Sequence, residues 1–260
     1  MDNEVKDEKK IWDRYFKEAL KGEGQEHQRN YWWLLSDLDT FKVCSKYLPT
    51  DKNLTILEAG CGSGGTSIEL LSRHKIEKLT LFDISEYALE FAKKNTPEKF
   101  SDKVDYIQGS VLNMPFKDNC FDMVWNVGLI EHYRPEMIKT IVKEMFRVTK
   151  PGGVVIIAIP NIKSLAILKA ALLGHPIGKI FLKFIRGYRN TTETLYPDFY
   201  IKNLIEKISL NPVSIDYVGS PLLVSTPDVV VKNLESIKLI KPFSFLSFFT
   251  SKKSSNYFDN

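Results

Sequence analysis

The run Leu57-Glu58-Ala59-Gly60-Cys61-Gly62-Ser63-Gly64-Gly65-Thr66 places four glycines behind a carboxylate. Glycine lets a chain turn sharply and lets a ligand approach the backbone where a Cβ would collide. Gly60, Gly62 and Gly65 satisfy a G-x-G-x-x-G pattern, so the loop alone admits a nicotinamide dinucleotide as readily as another adenosine ligand. Its neighbours narrow the choice. Asp83 lies 18 positions beyond Gly65, at the end of a second apolar run, where a carboxylate can accept hydrogen bonds from both hydroxyls of a ribose. Glu58 stands two residues ahead of Gly60; it would repel a pyrophosphate and suits a ligand bearing an ammonium or sulfonium charge.

These residues need a scaffold that brings separate loops together. From Leu54 onward short apolar runs alternate with amphipathic stretches, the pattern of βαβ units and a parallel sheet. Strands are expected at Leu54–Glu58, Lys78–Asp83, Val104–Gln108, Phe121–Trp125 and Val154–Ile159, with a sixth at Val213–Val218 and a seventh at Phe245–Thr250. Ser85 is placed to cap a helix over Glu86–Asn95, and Pro135 suits the first turn of another. Lys150-Pro151-Gly152-Gly153 closes that helix and turns into the fifth strand. Two helices precede the sheet. Ile11, Trp12, Tyr15, Phe16, Ala19 and Leu20 form one apolar stripe ended by Gly22 and Gly24, and a second stretch runs from Tyr31 to Leu48 ahead of Pro49. Ile201, Leu204, Ile205 and Ile208 mark a later helix.

With these blocks in order, the chain resembles the class I S-adenosylmethionine-dependent methyltransferases, in particular the small-molecule, type 11-like group. The resemblance rests on the Glu58–Gly64 loop, Leu81-Phe82-Asp83-Ile84-Ser85, Phe121-Asp122-Met123-Val124-Trp125-Asn126 and Lys150-Pro151-Gly152-Gly153. It implies an α/β, Rossmann-like three-layer sandwich whose mostly parallel seven-stranded sheet ends in an antiparallel last strand. It implies S-adenosyl-L-methionine as cofactor, with Glu58, Gly60, Cys61, Gly62 and Gly64 at its methionine part, Asp83 at its ribose and Ile84 on its adenine. Ser110 and Val111 follow the third strand near the adenine edge; relatives often carry an acidic residue there, and Ser110 departs from that pattern. Asn126 and Gly128 would border the point where cofactor meets acceptor. The plainer readings are that Asp83 caps a helix, that Cys61 is a small filler with no nucleophilic role, and that Ser110 is a turn residue.

His132, in Glu131-His132-Tyr133 after the fourth strand, is the candidate general base; the alternative is that it only orients its loop. Trp32 and Trp33 read either as a lid or as an anchor for their helix. Between Ser164 and Arg189 an apolar and basic stretch, broken by Gly174, Pro176 and Gly178, admits a lid over a lipophilic acceptor, an interfacial helix, or an insertion packed on the core. Phe243, Phe245, Phe248 and Phe249 read as edge-strand core rather than a membrane contact.

The expected division is a helical cap over 1–50, a cofactor-binding core over 51–160, a helical insertion over 161–197 and a C-terminal completion of the sheet over 198–260. Thirty-six basic against 32 acidic residues give a net charge of +4, too small to point to nucleic acid. Cys44, Cys61 and Cys120 have no paired spacing, so neither a disulfide framework nor a metal site is expected. The start is charged and no run of 18 apolar residues occurs, which fits a cytoplasmic enzyme acting on a small molecule. Two other readings stand beside it: a binding protein for the same cofactor without catalysis, and a nicotinamide-dependent oxidoreductase, which Glu58 disfavours.

Overall fold

The computed structural model describes residues 3–22, 31–168, 193–222, 226–234 and 238–254. Seven strands form one sheet: β1 (Leu54–Ala59), β2 (Ile76–Asp83), β3 (Val104–Gln108), β4 (Phe121–Val127), β5 (Thr149–Pro160), β6 (Ser214–Val218) and β7 (Leu246–Lys252). Their order across the sheet is β3-β2-β1-β4-β5-β7-β6. The first five strands are parallel, and β7 runs antiparallel to both β5 and β6. The expected Rossmann-like sheet with an antiparallel last strand is therefore present.

Side chains of the central strands alternate between two buried layers, as the period of two demands. Ile56, Leu81, Met123, Trp125, Ile156 and Phe248 face a core completed by α2 (Tyr31–Lys46), α3 (Gly65–Arg73) and α4 (Glu86–Asn95). Leu57, Phe82, Val124, Ile157 and Phe249 face the other, completed by α5 (Pro135–Val148) and α6 (Asp198–Ser209). Helices thus cover both faces, giving three layers. Burial of Trp125 leaves its indole N–H to be satisfied, and it donates to Ser67 Oγ at 3.0 Å.

The helix boundaries follow their local chemistry. Ser85 Oγ accepts from the Ala88 N–H at 3.3 Å and so caps α4, and Pro135 opens α5 where a missing N–H has no cost. The leading helix α1 (Asn3–Leu20) stops before Gly22, which adopts a φ of +73°. The strand β5 begins earlier than the sequence implies. Thr149 already pairs with Phe121, so Lys150–Gly153 is an irregular opening of the strand and not a separate turn. A short helix, α7 (Asp228–Leu234), packs on α2 and has no counterpart in the sequence reading.

The expectation that the phenylalanines lie on an edge strand changes, and the tryptophan alternative resolves to the anchor. β7 lies inside the sheet, between β5 and β6, so Phe245, Phe248 and Phe249 are interior rather than edge residues, whereas Phe243 precedes the strand and is half exposed. Trp33 meets Phe245 edge to face at 6.0 Å and anchors α2; the side chain of Trp32 lies outside the described residues. Of the apolar and basic stretch after Pro160, Lys169 to Thr192 also lie outside them, including Phe181 and Phe184.

Candidate functional site

The strand order reverses between β1 and β4, and ligands of open α/β sheets bind at such a switch point, beyond the carboxyl ends of the strands. A cavity of about 280 Å³ lies there. Its wall is made by the loops that follow β1, β2, β3 and β4, together with one face of α1.

The loop after β1 takes its shape from glycine. Gly60 and Gly62 have φ of +70° and +51°, and a Cβ on Gly60 would lie 2.7 Å from Leu129 Cδ1. The Asp83 carboxylate reaches across from β2, accepting the Gly62 N–H through Oδ2 and the Ser85 N–H through Oδ1, each at 2.9 Å. Burial raises the Asp83 pKa while these backbone donors oppose the rise. Glu58 is buried at the inner end of the cavity, and burial pushes its carboxyl up to about 8 despite a hydrogen bond from Ser67. Its Oε2 has no hydrogen-bond partner. A nearly neutral, under-satisfied carboxyl of this kind is poised to take up a cationic ligand group. Cys61 lines the same loop, but burial holds its thiol well above its ordinary value, so it is no nucleophile.

Nine of the twelve residues singled out from the sequence meet on this one cavity: Glu58, Gly60, Cys61, Gly62, Asp83, Ile84, Val111, Gly128 and His132. Three do not face it. Gly64, at φ +65°, makes the turn into α3, and a Cβ there would strike Leu81 at 2.7 Å. The Ser110 hydroxyl accepts from the Leu112 N–H at 3.3 Å, a turn contact, and Gly109 lines the cavity in its place. Asn126 is fully buried with its amide donating toward Met145 Sδ at 3.3 Å, so it points into the α5 layer.

His132 sits in a short turn (Ile130–His132) after β4, and burial lowers its pKa to about 4. Its ring meets Trp12 edge to face, with centroids 5.3 Å apart and planes at 87°. The neighbouring Glu131 is buried, and burial together with the Glu193 carboxylate raises it to about 8.

Sequence reasoning missed α1 as part of the site. Trp12, Tyr15 and Phe16 line the cavity, and α1 packs along α4, tied to it by the Ser85 hydroxyl donating to Asp13 Oδ1 at 2.7 Å. The aromatic content of the α1 stripe was the available signal, but a helical stripe says only that a face is buried, not against what.

A glycine cradle, a ribose-competent carboxylate on the neighbouring strand and the 3-2-1-4-5-7-6 sheet define a class I methyltransferase fold. Residues 57–157 match the family model of the methyltransferase domain. A demethylmenaquinone methyltransferase from Lactococcus lactis subsp. lactis (strain IL1403) is 32% identical over 143 residues, which are 52% of this chain and 56% of that one. The chain thus spans about half the length of that relative. Magnesium protoporphyrin IX methyltransferase from Synechocystis PCC 6803, solved with bound S-adenosylhomocysteine, superposes with a TM-score of 0.63 at 15% identity over 97% of this chain and 100% of that one. The cyclase SpnF superposes equally well, with a TM-score of 0.63 at 13% identity over 95% of this chain and 94% of that one. At such identities the likeness is one of fold.

Among the described residues no group of His, Cys, Asp and Glu is arranged to hold a metal ion, and no helix is long and apolar enough to cross a membrane.

Proposed function

We propose that the chain transfers a methyl group from S-adenosyl-L-methionine to an oxygen, nitrogen or carbon of a small, lipophilic acceptor. The observation that carries this reading is the convergence of Glu58, the Gly60–Gly62 turn and Asp83 on one cavity within a methyltransferase domain. The cavity fits the cofactor on two counts: Glu58 Oε2 is a buried acceptor awaiting a cationic donor, and the glycine turn leaves backbone open where a Cβ would intrude.

When bound, S-adenosylmethionine supplies an electrophilic methyl carbon, so no metal is needed to activate it. Glu58 would face the methionine ammonium, Asp83 would accept the ribose hydroxyls, and Ile84 and Val111 would pack on the adenine. Neutral His132 can accept a hydrogen bond from the acceptor's nucleophilic group and so orient it, but a pKa of about 4 makes it a weak base. The rest of the rate then comes from alignment and exclusion of water by the aromatic face of α1. In this reading residues 51–160 hold the cofactor, 1–50 cap it, 161–197 cover the acceptor and 198–260 complete the sheet. The lipophilic acceptor is supported by the apolar cavity wall and by the relative's name, a demethylmenaquinone methyltransferase. All three cysteines are free, which supports a reducing, cytoplasmic setting.

Calorimetry with S-adenosylhomocysteine tests the cofactor site, and mass-spectrometric detection of a methylated product from a panel of quinols, sterols and amines tests the reaction. Cofactor binding without product from any acceptor would favour a non-catalytic binding protein.

A further inference from the structure

Beside the residues assigned to the cofactor, the cavity wall is aromatic and apolar: Trp12, Tyr15, Phe16, Leu129 and Tyr133 surround His132. Trp12 is fixed from two sides, by its indole N–H donating to Glu8 Oε2 at 3.1 Å and by its perpendicular contact with His132. Tyr15 stands edge-on to Trp12, centroids 5.9 Å apart, and to Phe16, 5.1 Å apart. Among the described residues no lysine or arginine lines the cavity.

The charge pattern decides what such a wall accepts. An anionic acceptor would be drawn by the sulfonium, but it would lie near Asp83 with no cation among the described lining residues to offset its desolvation. A cationic acceptor would meet the sulfonium of the bound cofactor at the distance methyl transfer requires, where like charges repel strongly in a water-poor site. A neutral ring loses little on leaving water and gains edge and face contacts with Trp12 and His132.

We propose that the acceptor is an uncharged, flat aromatic ring that docks between Trp12 and His132, and that Trp12 is the residue that selects it. The inference rests on the methyl-transfer reading for the position of the cofactor, and goes beyond it in naming the acceptor's charge and shape. The two rings are in contact in this structure, and the acceptor ring replaces that contact with two of its own.

The test uses protein saturated with sinefungin, a cofactor analogue whose protonated amine carries the positive charge of the sulfonium, saturation being established first by calorimetry. It is then titrated with 2-naphthol, 2-naphthoate and 2-naphthylmethylammonium, followed by heat and by tryptophan fluorescence. The neutral naphthol is expected to bind at least about tenfold more tightly than either charged analogue. Trp12→Ala should weaken naphthol about tenfold or more, while Trp12→Phe, still flat and aromatic, should stay within about threefold. If Trp12→Ala does not fold, Trp12→Leu takes its place, with the same loss expected. Equal or tighter binding of a charged analogue, or undiminished naphthol binding in the folded Ala or Leu variant, overturns the proposal. A failure to bind sinefungin would be seen before any naphthol is added; it would overturn the underlying reading and this inference with it.

Discussion

Asp83 Oδ2 accepts the Gly62 N–H at 2.9 Å, so the last residue of β2 holds the loop that follows β1. One carboxylate thereby shapes the glycine turn and, in the proposed reading, keeps its remaining lone pairs for a ribose. Asp83→Ala should remove both functions, lowering S-adenosylhomocysteine affinity by about 10- to 100-fold, the loss of charge-assisted hydrogen bonds of about 1.5–3 kcal/mol. Calorimetry reads it; unchanged affinity in a folded variant would remove Asp83 from the site.

Gly60 and Gly152 separate the cost of backbone strain from that of crowding. Both have positive φ, +70° and +76°, but a Cβ at Gly152 meets nothing within 4 Å while one at Gly60 would lie 2.7 Å from Leu129 Cδ1. Each alanine variant should lose about 1–2 kcal/mol of stability to the left-handed conformation. Only Gly60→Ala should also weaken S-adenosylhomocysteine binding, because Leu129 must shift into the cavity it lines. Thermal melts with calorimetry check both, and matched binding losses in the two variants would contradict the argument.

Buried ionisable groups near the β4 turn make stability depend on pH in opposite senses. Burial lowers His132 to about 4, so between roughly pH 6.5 and 4 the unfolded chain binds more protons and acid destabilises the fold. Burial raises Glu131 to about 8, so its contribution is present below the ordinary carboxylate range and is lost as pH climbs through 8. Glu131→Gln removes that loss. Its melting temperature relative to the parent should rise between pH 5 and pH 8.5, and a pH-independent difference would show that Glu131 is ionised in the fold already.

The glycine loop and Asp83 were legible because their chemistry is local: a turn, a carboxylate and a spacing. Asn126 was placed beside the cofactor from a motif and not from its strand, and the structure turns its side chain toward Met145. Parity along β4 places Asn126 on the same side as Val124, whose core is the α5 layer, and opposite Trp125. Counting that alternation from the sequence would have turned the Asn126 side chain away from the cavity. Ser110 and Gly64 lie off the cavity for a different reason, since both serve turns. The role of α1 was beyond reach, because which face of the sheet end a leading helix covers depends on contacts such as Asp13 with Ser85, 72 residues apart.

The chain returning from the segment after β5 is stitched to the turn that carries His132. The Thr194 N–H donates to the Glu131 carbonyl at 2.8 Å, and the buried Tyr196 hydroxyl donates to the Tyr133 carbonyl at 2.9 Å. Tyr196 also stacks on Tyr200 of α6, with centroids 5.5 Å apart, so its ring is held whether or not the hydroxyl is present. Tyr196→Phe therefore isolates one hydrogen bond. Its loss in a buried place should cost about 0.5–1.5 kcal/mol, read as a drop in melting temperature. If the stitch also positions His132 for the acceptor, the Michaelis constant for the acceptor should rise severalfold, while S-adenosylhomocysteine affinity stays within about twofold, because Glu58 and Asp83 lie on other strands. Loss of stability with both ligand constants unchanged would reduce Tyr196 to a structural tie and detach the returning segment from acceptor binding.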